Sequence, residues 1–284
     1  KDISKNKNLG KSLGLGFALG YIGGIIILFI SIKLFIDTDN LPFGLIKEES
    51  QNIRAITLLV SIWFLIFSIP FLFFVIKEKK KKIKKSVSSN FMDLKKLLWN
   101  KKISVLGKFL IARMLYADGL NAIIVMGGIF AVGVFNLEIK ELLKLSIIMN
   151  ITAFIGAFLG GIANDKYGSK LVIIFSLIGL IFSSIVILFT FSASTFFIFA
   201  AINGLFIGPI QSASRVVITS MLNKNNQGKG FGLFATSGKL TSFIGPLLVS
   251  TVTFLTGSQR IGFSAAIILL LSGLIILLNI RKIS

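Results

Sequence analysis

Long apolar stretches separated by short polar segments set the pattern of this chain. A bilayer core is about 30 Å thick and takes about 20 apolar residues per helix. Eight stretches meet that length: 13–36, 54–76, 105–135, 142–164, 171–191, 195–221, 230–255 and 261–280. The pattern predicts an all-α, polytopic membrane protein with eight transmembrane helices. The third stretch is long enough for a tilt, a bend or an extension beyond the bilayer.

Charge sets the expected orientation. The chain has 31 Lys and Arg against 11 Asp and Glu, a net charge of +20. These cations lie in the short segments between apolar stretches, so membrane topology explains them better than a nucleic-acid surface does. If both ends share one side, that side carries 22 Lys and Arg and the other six, with three inside helices. The bias places both ends in the cytoplasm. The acids of the opposite loop, Asp37, Asp39, Glu48 and Glu49, fit there. One long linker, 77–102, holds Lys77, Lys79, Lys80, Lys81, Lys82, Lys84 and Lys85, and is expected to lie along anionic headgroups. Its segment 91–99 is amphipathic and suits the interface. Three parts follow: 1–76 with two helices, 77–104 as basic linker, and 105–284 with six helices.

Composition narrows the chemistry. Apolar residues make up 54% of the chain, and it contains no His and no Cys. A soluble enzyme, a disulfide scaffold, a His/Cys zinc site and a His-ligated haem are excluded, and no cofactor or metal is expected. An aspartyl intramembrane protease needs two acids in one site, and only Asp118 lies well inside a helix. A Ser–His pair is impossible. No catalytic residue is expected. No P-loop appears, so an ATP-driven pump would need a separate ATPase.

The sharpest motif is Gly161-Ile-Ala-Asn-Asp165-Lys-Tyr-Gly168-Ser-Lys170, in a short loop between two helices. Gly161 allows close helix contact. Gly168 permits a tight turn. Asp165 can accept hydrogen bonds at a neighbouring helix N-terminus, and Lys170 can anchor the next helix at the headgroups. An ordinary short turn with one acid is the alternative. Five further runs are distinctive: GFALGYIGG from Gly16, FLIARMLYADGLN from Phe109, GPIQSASR from Gly208, FGLFATSGKLTSFIGP from Phe231 and TGSQR from Thr256.

The Asp165 loop resembles the cytoplasmic gating motif of the major facilitator superfamily in its C-terminal-half copy. The five runs resemble that superfamily's vacuole-effluxer-like branch, whose fungal members release amino acids from the vacuole. The resemblance covers nearly the whole chain. It aligns the eight helices with the fifth to twelfth of a twelve-helix transporter. The first four are then expected to precede Lys1 in the same native chain. It implies alternating access, with Asp165 and Lys170 helping to hold the cytoplasmic side closed. By pseudo-symmetry Asp165 is expected near the start of the first helix, around 11–14. Gly16, Gly20 and Gly24, four residues apart, with Gly10, Gly14 and Gly23, are read as a packing face of that helix.

Polar residues inside helices are the candidate binding groups, because charge at depth is costly and faces a cavity or a partner. Asp118 lies about 15 Å and Lys239 about 14 Å from the linker side at 1.5 Å per residue. The two could pair across the bundle. Arg113 and Arg215 lie shallower and could instead snorkel to headgroups. Asn121, Asn203 and Gln211 could line the same cavity, or serve helix packing. Two mechanisms are open. Asp118 is a proton site, or Lys239 and Arg215 attract the carboxylate of an amino acid or another anion. Gly204, Gly208 and Pro209 are expected to interrupt the sixth helix, and Gly245 and Pro246 the seventh.

The sequence therefore points to a secondary transporter of a small solute, with the bilayer and that solute as partners, a proton as coupling ion and no nucleic acid. A non-transporting scaffold or an inactive gene fragment is the rival. With 26 Lys against 5 Arg, as an AT-rich genome yields, a bacterial inner membrane is the expected location.

Overall fold

The computed structural model describes residues 8–38, 40–47, 49–76, 97–100, 102–222 and 224–280. Nine α-helices lie among the described residues: α1 (Leu9–Ser31), α2 (Gln51–Ile76), α3 (Val105–Phe135), α4 (Ile139–Tyr167), α5 (Ser169–Phe189), α6 (Ala193–Met221), α7 (Lys224–Leu240), α8 (Ile244–Thr256) and α9 (Gln259–Leu278). A π-helical turn, Ile32–Ile36, extends α1. A two-residue-per-strand hairpin pairs Trp99 with Ile103 just before α3. Eight spans are long and apolar enough to cross a membrane, the seventh (Asn226–Thr256) containing both α7 and α8. The chain is a multi-pass membrane protein. Most of the 77–102 linker and the 91–96 part of the amphipathic segment lie outside the described residues.

Capping explains where the helices start and stop. Ser104 and Ser258 accept the first free amides of α3 and α9. Glu138 and Glu141 form a capping box that starts α4 three residues earlier than the apolar run does. Gly168, at φ 85° and ψ 153°, turns the chain between α4 and α5 in a conformation open essentially to glycine alone.

The chain divides into two compact units, 1–21 with 91–284, and 22–90. In the second unit, Asn52 closes the 37–50 connection by donating from Nδ2 to the Phe35 carbonyl at 2.9 Å. Its helix α2 exposes Phe64, Phe67, Phe71 and Phe73, so its outer surface is apolar all round.

In the first unit α4 packs most extensively on α6, and α3 on α9; α5 bridges α6 and α9, and α8 lies against α3 and α9. Small residues set the closest contact. A methyl added to Gly156 of α4 would overlap the Leu205 carbonyl of α6, and one on Gly208 would meet the Ala153 carbonyl at 2.5 Å. On its other flank α4 meets the start of α1. A methyl on Gly14 would lie 2.6 Å from the Ala157 carbonyl, and one on Gly161 2.8 Å from the Gly10 carbonyl.

Three sequence expectations change here. First, α6 runs unbroken through Gly204, Gly208 and Pro209; the two glycines serve contact with α4. Second, the seventh span does break, at 241–243, but Gly245 and Pro246 then lie in the first turn of α8. A proline there costs nothing, because first-turn amides have no intrahelical acceptor. Third, the glycine face of α1 packs only in part: Gly10 and Gly14 are tightly packed as expected, whereas added methyls on Gly16, Gly20 and Gly23 meet nothing within 4 Å.

Gly156→Ala is expected to lower stability by about 1–3 kcal/mol through overpacking. The check is the thermal unfolding midpoint of the full native protein in detergent. Gly232→Ala, whose methyl meets nothing within 4 Å, is the control expected not to lower it.

Candidate functional site

Two faces build the principal site, one on α3 and one on α6. Residues of α3 recur there at helical spacing as Arg113, Ala117, Asn121 and Ile124, and those of α6 as Gln211, Ser214 and Arg215. With Phe17 of α1 and Phe234 of α7 they enclose a cavity of about 180 Å³. A larger cavity of about 440 Å³ adjoins it through Ile124 and Gln211. Phe130, Phe196 and Phe263 form its apolar wall, and Tyr21, Ser146, Asn150 and Asn203 supply neutral polar groups. A third space, of about 500 Å³, lies along Gly16, Phe17, Gly20 and Tyr21 and again reaches Gln211 and Arg215. Gln211 thus borders all three.

The two guanidinium groups differ. Arg113 lies over the Phe234 ring at 3.5 Å and donates from Nη1 to the Phe234 carbonyl at 2.7 Å and to Ser237 Oγ at 3.2 Å. A methyl on Gly238 would lie 2.5 Å from the same nitrogen, so glycine there leaves room for the guanidinium against α7. Arg215 stacks on Phe17 at 4.5 Å and is solvent-accessible. Neither forms an ion pair with a carboxylate among the described residues. The cavity therefore carries two positive charges and no acid in its wall. Beside them Ser214 Oγ donates to the Ile210 carbonyl at 2.6 Å, so its contact with Tyr116 at 2.7 Å is donated by the phenol.

Asp118 and Lys239 stand apart from this cavity. Asp118 is five residues beyond Arg113, which turns it by about 140° around α3 at 3.6 residues per turn. It is 3% exposed, and its Oδ1 has no hydrogen-bond partner. One turn on, Asn121 Nδ2 donates to the Ser242 carbonyl at 2.5 Å. Asn121 therefore ties α3 to the break between α7 and α8. A methyl on Gly245 would overlap the Asp118 carbonyl, so that glycine lets α8 approach. Lys239 is exposed, and no ion pair joins it to Asp118 among the described residues. The pair that the sequence allows is not formed: Asp118 is buried, whereas Lys239 is exposed. Asn203 is buried and accepts from Ser183 Oγ at 2.5 Å, tying α6 to α5.

The Asp165 motif separates into two contacts. Asp165 Oδ1 accepts from the Gly10 amide at 2.7 Å and Oδ2 from the Lys11 amide at 2.9 Å, so the carboxylate caps the first turn of α1. The position agrees with the sequence expectation for its neighbourhood. Lys170 instead donates from Nζ to the Ile280 carbonyl at 2.6 Å and, more weakly, to that of Leu278 at 3.4 Å. It caps the C-terminus of α9, where the helix dipole favours a cation.

Phe17, Tyr21, Tyr116, Ser214 and Phe234 were not among the residues selected from sequence. Tyr116 and Ser214 follow Arg113 and Gln211 by three positions, so helical phase could have found them. Nothing in the sequence brings Phe17 or Phe234 to the guanidinium groups, because those contacts join distant helices.

With this geometry in hand, the chain can be compared with known proteins. Residues 5–282 match the family model described as vacuole effluxer Atg22 like. An uncharacterised MFS-type transporter, YxiO of Bacillus subtilis, is 26% identical over 285 residues, covering 97% of this chain and 64% of the relative. Autophagy-related protein 22 of Vanderwaltozyma polyspora is 26% identical over 290 residues, covering 88% and 52%. Autophagy-related protein 22 of Yarrowia lipolytica is 23% identical, covering 95% and 50%. The chain thus spans about half to two thirds of the length of these relatives. Among solved structures, a peptide transporter of the POT type, crystallised with sulfate, superposes with a TM-score of 0.52 at 18% identity over 63% of this chain and 37% of its own. The family match extends over almost the whole chain and the superposition shows a major facilitator fold, so the chain belongs to the Atg22-like vacuole effluxer family.

Proposed function

We propose that this chain is the larger part of a secondary active transporter that moves a small solute bearing a carboxylate, an amino acid or another small anion, by alternating access. The observation that carries this reading is the acid-free cavity between α3 and α6, with Arg113 and Arg215 in its wall. A guanidinium pairs with a carboxylate through two parallel hydrogen bonds. Arg113 already spends one nitrogen on α7, so Arg215 is the anchoring group and Arg113 supports it by charge. The neutral amides and hydroxyls of the adjoining cavity suit the rest of such a solute. Lys239, expected from sequence to share this role, has no part in the cavity wall. Binding at the meeting of broken or kinked helices, with one bundle rocking about it, is the usual plan of such proteins.

The contact of Asp165 with α1 then serves as a latch on the cytoplasmic side, as the charge bias along the chain orients it. It holds α1 against α4 in one state and releases it in the other. Proton coupling rests on Asp118. A buried carboxylate with one unpartnered oxygen beside a helix break is suited to gain and lose a proton as the break moves. The Lys-rich composition and the charge bias along the chain support a bacterial inner membrane, with both ends cytoplasmic, as its location.

Three experiments on the full native protein in proteoliposomes test these roles. Arg215→Gln is expected to raise KM for a carboxylate-bearing solute about tenfold or more, the loss of a charge-assisted contact of about 1.5–3 kcal/mol. An unchanged KM would remove Arg215 as the anchor. Asp118→Asn is expected to flatten the pH dependence of transport; a retained pH profile would end the proton role. Asp165→Asn is expected to weaken the latch by about 1 kcal/mol, seen as faster hydrogen exchange at the Gly10 and Lys11 amides. Exchange matching the unsubstituted protein would show that the carboxylate does not hold α1.

A further inference from the structure

A fourth cavity, of about 460 Å³, lies apart from the solute site, in the crevice where α4, α5 and α6 meet. Its floor is Gly156, Gly160 and the ring of Pro209; its rim is Leu159, Leu171 and Phe175. The rim side chains open outward, Phe175 being 70% exposed. All three helices cross the membrane, so the crevice opens to hydrocarbon. Along α4 it extends from Gly156 to Tyr167, eleven residues or about 16 Å at 1.5 Å per residue. That is close to half of a bilayer core of about 30 Å. The crevice is thus one leaflet deep, too short to seat a spanning helix along its length.

Charge stands at one end only. Tyr167 lines the mouth, and the Lys166 ammonium lies 5.1 Å from the centre of its ring. Lys166 is exposed and forms no ion pair among the described residues. Its neighbours are committed elsewhere, Asp165 to α1 and Lys170 to the end of α9. A free cation at headgroup level above a slot one leaflet deep is complementary to an anion carrying a hydrocarbon chain.

We infer that this crevice binds one acyl chain of an anionic phospholipid from the leaflet on the Lys166 side, with the lipid phosphate at Lys166. The chain lies between Leu159, Leu171 and Phe175, whose side chains helix packing leaves exposed. The occupant lies against the α4–α6 contact, on the outer face of α4 rather than the face that carries α1. The inference does not depend on the solute or on the coupling ion.

Native mass spectrometry of the full native protein released from detergent, titrated with phosphatidylglycerol or phosphatidylcholine, tests it. One phosphatidylglycerol is expected to be retained about tenfold more strongly than phosphatidylcholine. Ala163→Phe, which fills the slot, is expected to abolish retention of that lipid. Lys166→Ala, at an exposed site that does not threaten folding, is expected to erase the preference between the two lipids while leaving chain binding. Glycerol 3-phosphate, a headgroup without a chain, is expected not to compete. Equal retention of both lipids by the unsubstituted protein would overturn the proposal, as would a preference that survives Lys166→Ala or competition by glycerol 3-phosphate. The chain has no cysteine, so Phe175→Cys provides a single cross-linking site. A cross-link there to another transmembrane helix in native membranes would also overturn it, by giving the crevice a protein occupant.

Discussion

Two helices in hydrocarbon gain nothing by hiding apolar surface from water, because the lipid around them is equally apolar. What remains is close contact, and its reach is set by the smallest residues available. Helix α4 meets this constraint on two flanks. Gly156, Gly160 and Ala153 let α6 come backbone to backbone, and Ala157 and Gly161 do the same for α1. Other features depend on those distances. Asp165 reaches the amides of Gly10 and Lys11 only because Gly14 and Gly161 allow α1 to lie so close. The cavity walls on α6 are fixed by the same contact, since Gly204 and Gly208 precede Gln211 and Arg215 on one helix.

Eight spans were legible in the sequence because twenty apolar residues in a row have few other fates. The Asp165 motif was legible too, since a turn, an acid and a small residue at fixed spacing imply a helix end nearby. Depth proved a poor guide to the cavity. Asp118 and Lys239 are deep along the chain but do not line the cavity, whereas Arg113, Asn121, Gln211 and Arg215 do. Angle could have been counted from the sequence; the partner helix at each angle could not. Glycine and proline were ambiguous for a similar reason. Gly208 and Pro209 read as a break, yet the glycine serves a neighbour and the proline is accommodated within a continuous helix. Proline removes the amide that would bond the carbonyl four residues earlier, that of Leu205. That carbonyl is the group lying against Gly156.

The polar groups of the first unit form two sets with different duties. Arg113 and Asn121 bind α3 to α7 and to the break beyond it, through Phe234, Ser237 and Ser242. Gln211, Ser214 and Arg215 face open volume from α6. Tyr116 joins the sets by donating to Ser214, whose own proton is directed at Ile210. A cavity bounded this way has one wall stiffened by hydrogen bonds and one wall that presents free donors.

The loop between α4 and α5 behaves as a cleat with two lines made fast to it. Five residues apart, Asp165 takes the positive pole of α1 and Lys170 the negative pole of α9. The second line joins elements of one packed body, since α5 and α9 also contact each other directly. The first is tied by two hydrogen bonds to backbone amides, with no side chain of α1 required. Loss of those two hydrogen bonds alone would leave the cleat itself in place. The Gly168 turn keeps its shape, Lys170 stays moored, and the carboxylate remains aimed at the berth to which α1 can return.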